Sequence, residues 1–440
     1  MADVRPLPGI RYSPEVDLAE VVTPPYDVIS PDAQGRYYER SPQNIIRLEL
    51  GMEQPTDDAL DNRYTRAART FAEWRWQGVL QQDPPTLYLY EQRFTALGAE
   101  RRRLSLLARV RIEPWEAGVI LPHERTLSKP KDDRLKLTRA TAATLSPIMA
   151  LYDDPRGALA KTFAGVRRRK PPIAFSDEAG EEHRLWAVRD AAQFAAVSQF
   201  FADRQLYIAD GHHRYETALT YRDEVRAMRR ELSAEDAPNF TLMALSAIED
   251  PGLVVLPTHR IVRGLDMERL ANMSDELGAH FTVEPLETLE AQTVLAALGV
   301  AAGKDQETAF ALIAPDGARI LRLTPAGRAA MATRAGPNVG SSEAWRRLDV
   351  AILHELVLNR VLGISDEAVR AGEIVSYTRD AGAAIAAVRS GADGAQVAVL
   401  LNPTPPAAIR DVARAGDRMP QKSTYFYPKL ITGLVINPLW

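Results

Sequence analysis

The sequence contains no cysteine. This absence excludes disulfide bonds, thiolate nucleophiles, iron–sulfur clusters and cysteine-ligated zinc. Any metal site must therefore use histidine and carboxylate ligands. Four of the seven histidines, His123, His212, His213 and His259, lie in polar segments, but no HExxH pattern or other metal-ligand spacing accompanies them.

The chain also lacks a long apolar run. A membrane span needs roughly 18 uninterrupted apolar residues, and the nearest approach, 383–401, is broken by Arg389 and Asp393. The first residues carry prolines and charges where a signal peptide would have an apolar segment. We therefore expect a cytoplasmic protein that is not inserted in a membrane.

Positive charge is not in excess. The chain has 54 Lys and Arg against 58 Asp and Glu, for a formal net charge of −4. Proteins that bind nucleic acid non-specifically carry a positive surplus. We expect a small-molecule substrate as the partner, and neither nucleic acid nor a membrane. A homo-oligomer is compatible with these properties.

The length and composition are those of a globular protein with several domains. A chain of 440 residues, 46% hydrophobic and 25% charged, exceeds one compact core of typical size. The Gly-, Pro- and Ala-rich segment 324–342 predicts a linker. We divide the chain into a core domain at 1–262, an α/β subdomain with a hairpin at 263–335, and a C-terminal α/β segment at 336–440.

Hydrophobic periodicity predicts a mixed α/β (α+β) fold. Ser30 followed by Pro31 predicts the start of a helix. Apolar strands at 87–90 and 104–112, joined through Gly98, predict a hairpin. Further helices are predicted at 64–74, 267–277, 286–298, 350–362, 381–388 and 405–415, and further strands at 206–209, 253–256 and 397–401.

The sharpest polar feature is the segment Asp210–Glu216, which directly follows a predicted strand. Gly211 permits a tight turn, and the first N–H groups of a helix that begins there would point outward. His213 and Arg214 add side-chain donors, and arginine can bind phosphate bidentately. The segment therefore predicts an anion site for a nucleotide or phosphoester. The alternative is that Asp210 only caps the helix and the histidines lie at the surface or at an interface.

A second polar segment, 121–131, brings an acid, an imidazole and several basic groups together. Its carboxylate, Glu124, is suited to act as a general base toward a substrate hydroxyl, while the basic side chains hold phosphate. The alternative is a solvated charged loop.

Near the N-terminus, two prolines precede Tyr26 and Asp27. This pattern predicts a rigid turn that presents both side chains. A purely structural turn is the alternative.

Four longer segments follow one another along the chain: Pro24–Ile29, Leu121–Pro130, Tyr207–Ala218 and Met419–Pro428. Together they resemble the motifs of the bacterial and archaeal family known as domain of unknown function 1015. The resemblance extends over nearly the whole chain. It indicates a family but implies no activity by itself.

More distantly, the Asp-Gly-His-His-Arg turn resembles the phosphate-binding turn of the ParB and sulfiredoxin superfamily. That superfamily includes nucleotide-binding partition proteins and an archaeal ADP-dependent kinase of free serine. The resemblance implies a ParB/sulfiredoxin-like core with additional α/β subdomains. The catalytic cysteine of sulfiredoxin has no counterpart here, and the helix-turn-helix and basic character of partition proteins are not visible. The kinase-like branch is therefore favoured.

In that branch a glutamate acts near the substrate hydroxyl, which nominates Glu124, with His123 and Asp27 as further catalytic candidates. Asp210 or Glu216 would hold Mg²⁺, and the nucleotide would be ATP or ADP. The candidates for phosphate binding are Gly211, His212, His213, Arg214, Arg125 and Lys129.

The resemblance and the polar segments together predict a small-molecule phosphotransferase, a nucleotide-dependent kinase acting on free serine or a similar hydroxyl metabolite. Two alternatives stay open. One is a phosphatase directed at phosphoserine, and the other is a non-enzymatic module that senses a nucleotide and regulates a protein interface.

Overall fold

The computed structural model describes residues 1–126, 128–229, 232–303, 307–332 and 342–440, with only the backbone described at 128 and 129. Helices and strands are interspersed along the chain, so the predicted mixed α/β class is confirmed. Internal contacts divide the chain into two units. The first comprises Met1–Pro122, Thr126–Val254 and Tyr427–Trp440, and the second comprises His123–Arg125 and Val255–Phe426. The three-domain division remains a prediction.

The first unit contains both strands and helices. Its strands are Val4–Arg5, Ile10–Tyr12, Leu80–Gln82, Leu87–Ala96, Ala99–Arg111, Ile120–Leu121, Ala143–Thr144, Ile148–Tyr152, Ile173–Ser176, Glu182–Val188, Leu206–Asp210, Phe240–Ala247 and Asn437–Pro438. Its α-helices are Leu18–Val21, Pro31–Arg40, Ile46–Glu49, Arg63–Trp76, Ser128–Thr141, Ala158–Thr162, Ala164–Arg167, Ala191–Phe201 and His212–Met228. Short 3₁₀ helices occupy Tyr26–Val28, Trp115–Ala117 and Ala237–Asn239. Two further strands, Val254–Leu256 and Tyr425–Tyr427, include the residues where the division falls.

A mixed sheet forms the centre of the first unit. Its strands lie in the order 120–121, 206–210, 148–152, 240–247, 99–111, 87–96, 182–188 and 173–176, with 4–5 also paired to 99–111. Ile208 and Met243 on this sheet are fully buried in the same apolar core as Val197 and Phe201 of the helix Ala191–Phe201. The strand that carries the Asp210 turn is therefore an interior strand, fixed on both sides.

The long hairpin of this sheet turns through Leu97 and Gly98. Ala96 pairs with Ala99, so these two residues alone form the loop. Both have positive φ, at 51° and 72°, as a two-residue hairpin turn that matches the strand twist requires. The predicted hairpin through Gly98 is confirmed, with strands longer than predicted.

Sequence signals at helix starts agree with the structure. The Ser30 hydroxyl accepts the Ala33 N–H, and the helix Pro31–Arg40 begins directly after it. The helix Arg63–Trp76 buries Phe71 and Trp74, which lie three residues apart on its apolar face. Among the described residues, no helix has both the length and the apolar character needed to cross a membrane.

The second unit is built on a six-stranded antiparallel sheet. Its strands lie in the order Phe281–Leu286, Gly317–Leu323, Ala309–Ala314, Ala395–Leu401, His259–Arg263 and Val375–Thr378. The helices are Met267–Gly278, Ala291–Ala302, Pro325–Ala332, Glu343–Arg346, Asp349–Ile352, Asp366–Ala371, Ala381–Ser390 and Pro406–Arg414, with a π-helix at Leu353–Val361 and a 3₁₀ turn at Ala392–Gly394. Leu298 and Ile385 bring two of these helices into the apolar core of the sheet.

Two predicted elements of the second unit need correction. The helix predicted at 286–298 is the helix Ala291–Ala302, because the preceding strand runs through Pro285 and the Glu290 carboxylate caps the helix start. The predicted linker 324–342 contains the helix Pro325–Ala332, while 333–341 lie outside the described residues. Its proline stands at the first helical position, where proline is favoured.

Gly252 provides a test of the packing in the first unit. A Cβ on Gly252 would lie 2.1 Å from the carbonyl oxygen of Arg102, so Gly252→Ala should lower the free energy of unfolding by about 1 to 3 kcal/mol. The control is Gly35→Ala in the helix Pro31–Arg40, where the added methyl meets no atom within 4 Å outside its own helix and should stabilise by about 0.5 to 1 kcal/mol. Denaturant midpoints measure both effects. A Gly252→Ala midpoint equal to that of the wild type would contradict the packing.

Candidate functional site

The Asp210 turn joins a buried strand to a long helix. The strand Leu206–Asp210 ends at Gly211, which has φ +91°, and the 17-residue helix His212–Met228 begins immediately afterwards. A Cβ on Gly211 would lie 2.9 Å from Nε of Arg214, so both the backbone conformation and the space favour glycine. Gly211 itself occupies the N-cap position. The alternative in which Asp210 caps the helix is therefore wrong.

The Asp210 carboxylate lies between two cations. Its Oδ2 accepts a hydrogen bond from Nη2 of Arg214 at 2.6 Å, and its Oδ1 contacts Nζ of Lys429. Burial alone would raise the pKa of Asp210, but Lys429 and Arg214 hold it well below its usual range. Asp210 therefore stays ionised and anchors both cations.

Arg214 is fixed at its other end as well. Its Nη1 donates to the carbonyl of Pro147, and the residue is 9% exposed. Burial alone would lower the pKa of Arg214, but Asp210 and other nearby groups raise it. The guanidinium thus holds the helix start against the strand. Its predicted part in binding phosphate remains a prediction.

Glu216, in the first turns of the helix His212–Met228, makes a second set of polar contacts. Glu216 Oε2 accepts hydrogen bonds from Thr126 Oγ1 at 2.7 Å and from Lys131 Nζ at 2.8 Å. Burial lowers the pKa of the half-buried His213, with Lys131 adding to this shift and Glu216 opposing it. A neutral His213 beside an ammonium group is compatible with binding a phosphate oxygen.

Asp27, predicted as a catalytic residue, is part of the 3₁₀ turn Tyr26–Val28. The side chain is exposed, and its negative charge acts to raise the pKa of both His213 and Arg214. The preceding Tyr26 has its ring 4.1 Å from the Arg134 guanidinium. Asp27, predicted from the N-terminal motif, therefore lies within electrostatic range of His213 and Arg214, and its catalytic role remains a prediction.

Glu49 is a buried group that lines the same cavity as Arg214 and that no local sequence pattern indicates. Glu49 is 2% exposed, accepts a hydrogen bond from Ser146 at 2.9 Å and lies 3.3 Å from Nη1 of Arg134. Burial raises the pKa of Glu49, although Arg134 and Arg214 oppose the shift. These side chains line a cavity of about 40 Å³. It has room for water and none for a nucleotide.

The segment that contains His123 and Glu124 is held by residues 419–424 of the second unit. The His123 carbonyl accepts the Met419 N–H at 2.7 Å, and its Nε2 lies 3.1 Å from Thr424 Oγ1. Glu124 Oε1 accepts the Lys422 N–H at 3.1 Å. Two segments that resemble family motifs, distant in sequence, therefore contact each other.

The remaining predicted residues have simpler surroundings. Arg125 is exposed. His212 is 6% exposed, and its imidazole is a further group that acts to lower the pKa of Asp210. The Lys129 side chain lies outside the described residues. The proposed roles of these residues, and of Glu124 relative to the Asp210 turn, remain predictions.

Residues 4–351 match the profile of a family described as "Protein of unknown function (DUF1015)". The chain belongs to this family. Among curated proteins, no sequence matches this DUF1015 protein.

Several solved structures resemble the DUF1015 protein at low sequence identity. A conserved hypothetical protein from Pyrococcus furiosus is 13% identical, with a TM-score of 0.35, and the match covers 76% of this chain and 97% of that one. A variant of free serine kinase in complex with ADP is 13% identical, with a TM-score of 0.34 and coverages of 73% and 87%. SbnI with a C-terminal truncation, from Staphylococcus aureus, is 12% identical, with a TM-score of 0.33 and coverages of 76% and 87%.

The charge balance around Asp210 can be tested by Lys429→Met. The folded-state pKa of Asp210 lies below its unfolded value, so its contribution to stability is present above about pH 4 and is lost as pH falls through the folded-state pKa. At pH 7 the substitution should lower the free energy of unfolding by about 2 to 3 kcal/mol, because it leaves a largely buried carboxylate with one cation fewer. The difference in free energy of unfolding between Lys429→Met and the wild type should become smaller as the pH is lowered to 3.

The matched control is Lys131→Met, which removes an ion pair whose side chains are 36% and 26% exposed. We expect it to change stability by less than about 1 kcal/mol. Urea unfolding at pH 7 and pH 3 measures both variants. If Lys429→Met and Lys131→Met lowered the free energy of unfolding by equal, small amounts, Lys429 would not be the counter-charge that stabilises the ionised Asp210.

Proposed function

We propose that this DUF1015 protein transfers a phosphoryl group between a nucleotide, ATP or ADP, and the hydroxyl group of a small metabolite such as free serine. The observation that supports this most is the Asp210 turn. A positive-φ glycine starts a 17-residue helix whose first turn lies beside imidazole, ammonium and carboxylate groups. This combination provides both phosphate-binding groups and groups able to move a proton.

The start of the helix suits a phosphate group. Gly211 occupies the N-cap position, so the backbone there can approach a ligand closely, and a helix dipole places partial positive charge at this end. His213 and Lys131 add donors on the outer side. Arg214 contributes by holding the turn in place through Asp210, with its positive charge behind the phosphate.

In the proposed reaction Glu124 accepts the proton of the acceptor hydroxyl as its oxygen bonds to phosphorus. The phosphoanhydride bond breaks, and the leaving nucleotide oxygen keeps the electron pair. The Lys422 N–H donates to Glu124 Oε1 at 3.1 Å and so helps to orient the carboxylate of the proposed base. The exposed Asp27 carboxylate is suited to orient the acceptor, since it can bind an ammonium group such as that of serine.

Of the two residues nominated for Mg²⁺, Glu216 fits better. Both oxygens of Asp210 already contact cations, whereas the contacts of Glu216 with Thr126 and Lys131 use a single oxygen, Oε2. Mg²⁺ commonly takes one or two carboxylates together with substrate phosphates. When bound, it would neutralise charge on the transferred phosphoryl group.

Phosphorus NMR of the full chain with Mg²⁺, serine and either ATP or ADP tests the proposed activity. We expect a phosphoserine resonance to appear as the nucleotide is consumed. Glu124→Gln retains the shape of the side chain but removes the base, so kcat should fall by roughly 10² to 10⁴ with nucleotide affinity nearly unchanged. Glu116→Gln, at an exposed position in the same part of the sequence, is the matched control and should keep the wild-type rate.

Other outcomes would favour the alternatives. Hydrolysis of phosphoserine without nucleotide would indicate a phosphatase. Nucleotide binding with no turnover of any hydroxyl acceptor would indicate a sensing module. A Glu124→Gln variant with wild-type kcat would remove Glu124 from the reaction.

A further inference from the structure

A second polar cluster lies in the first unit and has no part in the proposed phosphoryl transfer. Asp177, Glu181 and His183 each offer one ligand atom, and these atoms all lie within 4.8 Å of one another. The cluster sits where the strand Ile173–Ser176 turns into its antiparallel neighbour, Glu182–Val188. Because the chain has no cysteine, its metal ligands would be histidine and carboxylate groups, and this cluster consists of one histidine and two carboxylates.

The tight loop between these strands places the three ligands. Gly180 has φ +76°, and its N–H donates to the carbonyl of Asp177, while the Asp177 N–H donates to the carbonyl of Glu181. Residues two apart along an extended chain share a face. Glu181 and His183 therefore project to one side, and the closed loop brings Asp177 to the same place.

Asp177 and His183 each use one side-chain atom in a hydrogen bond that fixes the side chain, while the other atom faces the centre of the cluster. Asp177 Oδ1 accepts the N–H groups of Ala179 at 3.0 Å and Glu181 at 2.9 Å, while its Oδ2 lies 3.1 Å from His183 Nε2. On the far side of the imidazole, His183 Nδ1 lies 2.7 Å from the Tyr90 hydroxyl. Such outer contacts orient the ligands of metal sites and set the imidazole tautomer.

Glu181 is oriented in a similar way, by a hydrogen bond with the Tyr427 side chain. His183 is 0% and Glu181 7% exposed, so the cluster lies almost entirely inside the protein. Polar side chains from outside the loop thus hold both of these buried ligands.

The negative charge of the cluster lacks a direct counter-charge. Within the described part of the chain, neither carboxylate has a lysine or arginine partner within 4.0 Å, and the basic group that contacts Asp177 is the imidazole of His183. The buried Arg103 acts on Glu181 from a distance, but its guanidinium donates to Gln92 and to the Pro428 carbonyl. Two carboxylates near one another inside a protein require a cation or a proton.

We propose that Asp177, Glu181 and His183 bind one divalent transition-metal ion, such as Zn²⁺, with a coordination position open to water. The imidazole ligand favours a first-row transition metal over Mg²⁺ or Ca²⁺. Three protein ligands with a remaining open position are typical of zinc sites that hold a water molecule. The site is independent of the proposed phosphotransferase activity.

The test uses the full chain, purified without a histidine tag and treated with a chelator. Calorimetric titration with Zn²⁺ should show one equivalent bound with micromolar or tighter affinity. Titration with Co²⁺ should produce visible absorption bands of a site with nitrogen and oxygen ligands. His183→Gln and Asp177→Asn should each weaken Zn²⁺ binding by at least about 100-fold, since each removes or weakens one of three ligands.

The matched control is His354→Gln. Its imidazole contacts Asp366 at 2.8 Å and thus forms a histidine–carboxylate pair outside this cluster, and its loss should leave Zn²⁺ affinity unchanged. Asp177→Asn keeps the inference testable if the buried His183→Gln fails to fold, because Asp177 lies at the loop and retains 15% side-chain exposure. Absence of Zn²⁺ binding by the wild type would overturn the proposal. So would an affinity that folded Asp177→Asn leaves unchanged, and the cluster would then be a hydrogen-bonded network that shares a proton.

Discussion

The contact of Asp210 with both Arg214 and Lys429 is the interaction on which the candidate site depends. It joins the end of an interior strand, the first turn of a long helix and the C-terminal segment of the first unit. The close approach of the Arg214 guanidinium to Gly211 is part of the same arrangement. A helix start that is fixed in this way can bind an anion without first losing conformational freedom.

Local patterns in the sequence predicted much of the local structure. Ser30 and Pro31 mark a helix start, and Gly98 and Gly211 mark turns, because each acts on the backbone within a few residues. The helix predicted at 286–298 started too early, since apolar periodicity alone does not register that a strand continues through Pro285. Periodicity in Gly- and Ala-rich segments is also weak, and for this reason the helix Pro325–Ala332 was taken for a linker.

The partners of the site residues could not be predicted in the same way. Lys429 is 219 residues from Asp210, and no local pattern points from one to the other. The partners of the buried Glu49 could not be predicted either, since its contacts with Arg134 and Ser146 form only when separate helices and strands pack together. The group formed by Asp177, Glu181 and His183 was missed because the spacing of its ligands belongs to a hairpin loop and not to a helix. The segments that resemble family motifs nevertheless included Asp27 and Glu124, which are the carboxylates of the proposed reaction.

A crystal structure of the full chain grown with ADP and Mg²⁺ tests the central claim most directly. We expect nucleotide phosphate oxygens within about 3.2 Å of the backbone N–H groups of residues 212–214, with Arg214 still paired to Asp210. Phosphates bound elsewhere on the protein, with the start of this helix left to solvent at saturating ADP, would contradict it.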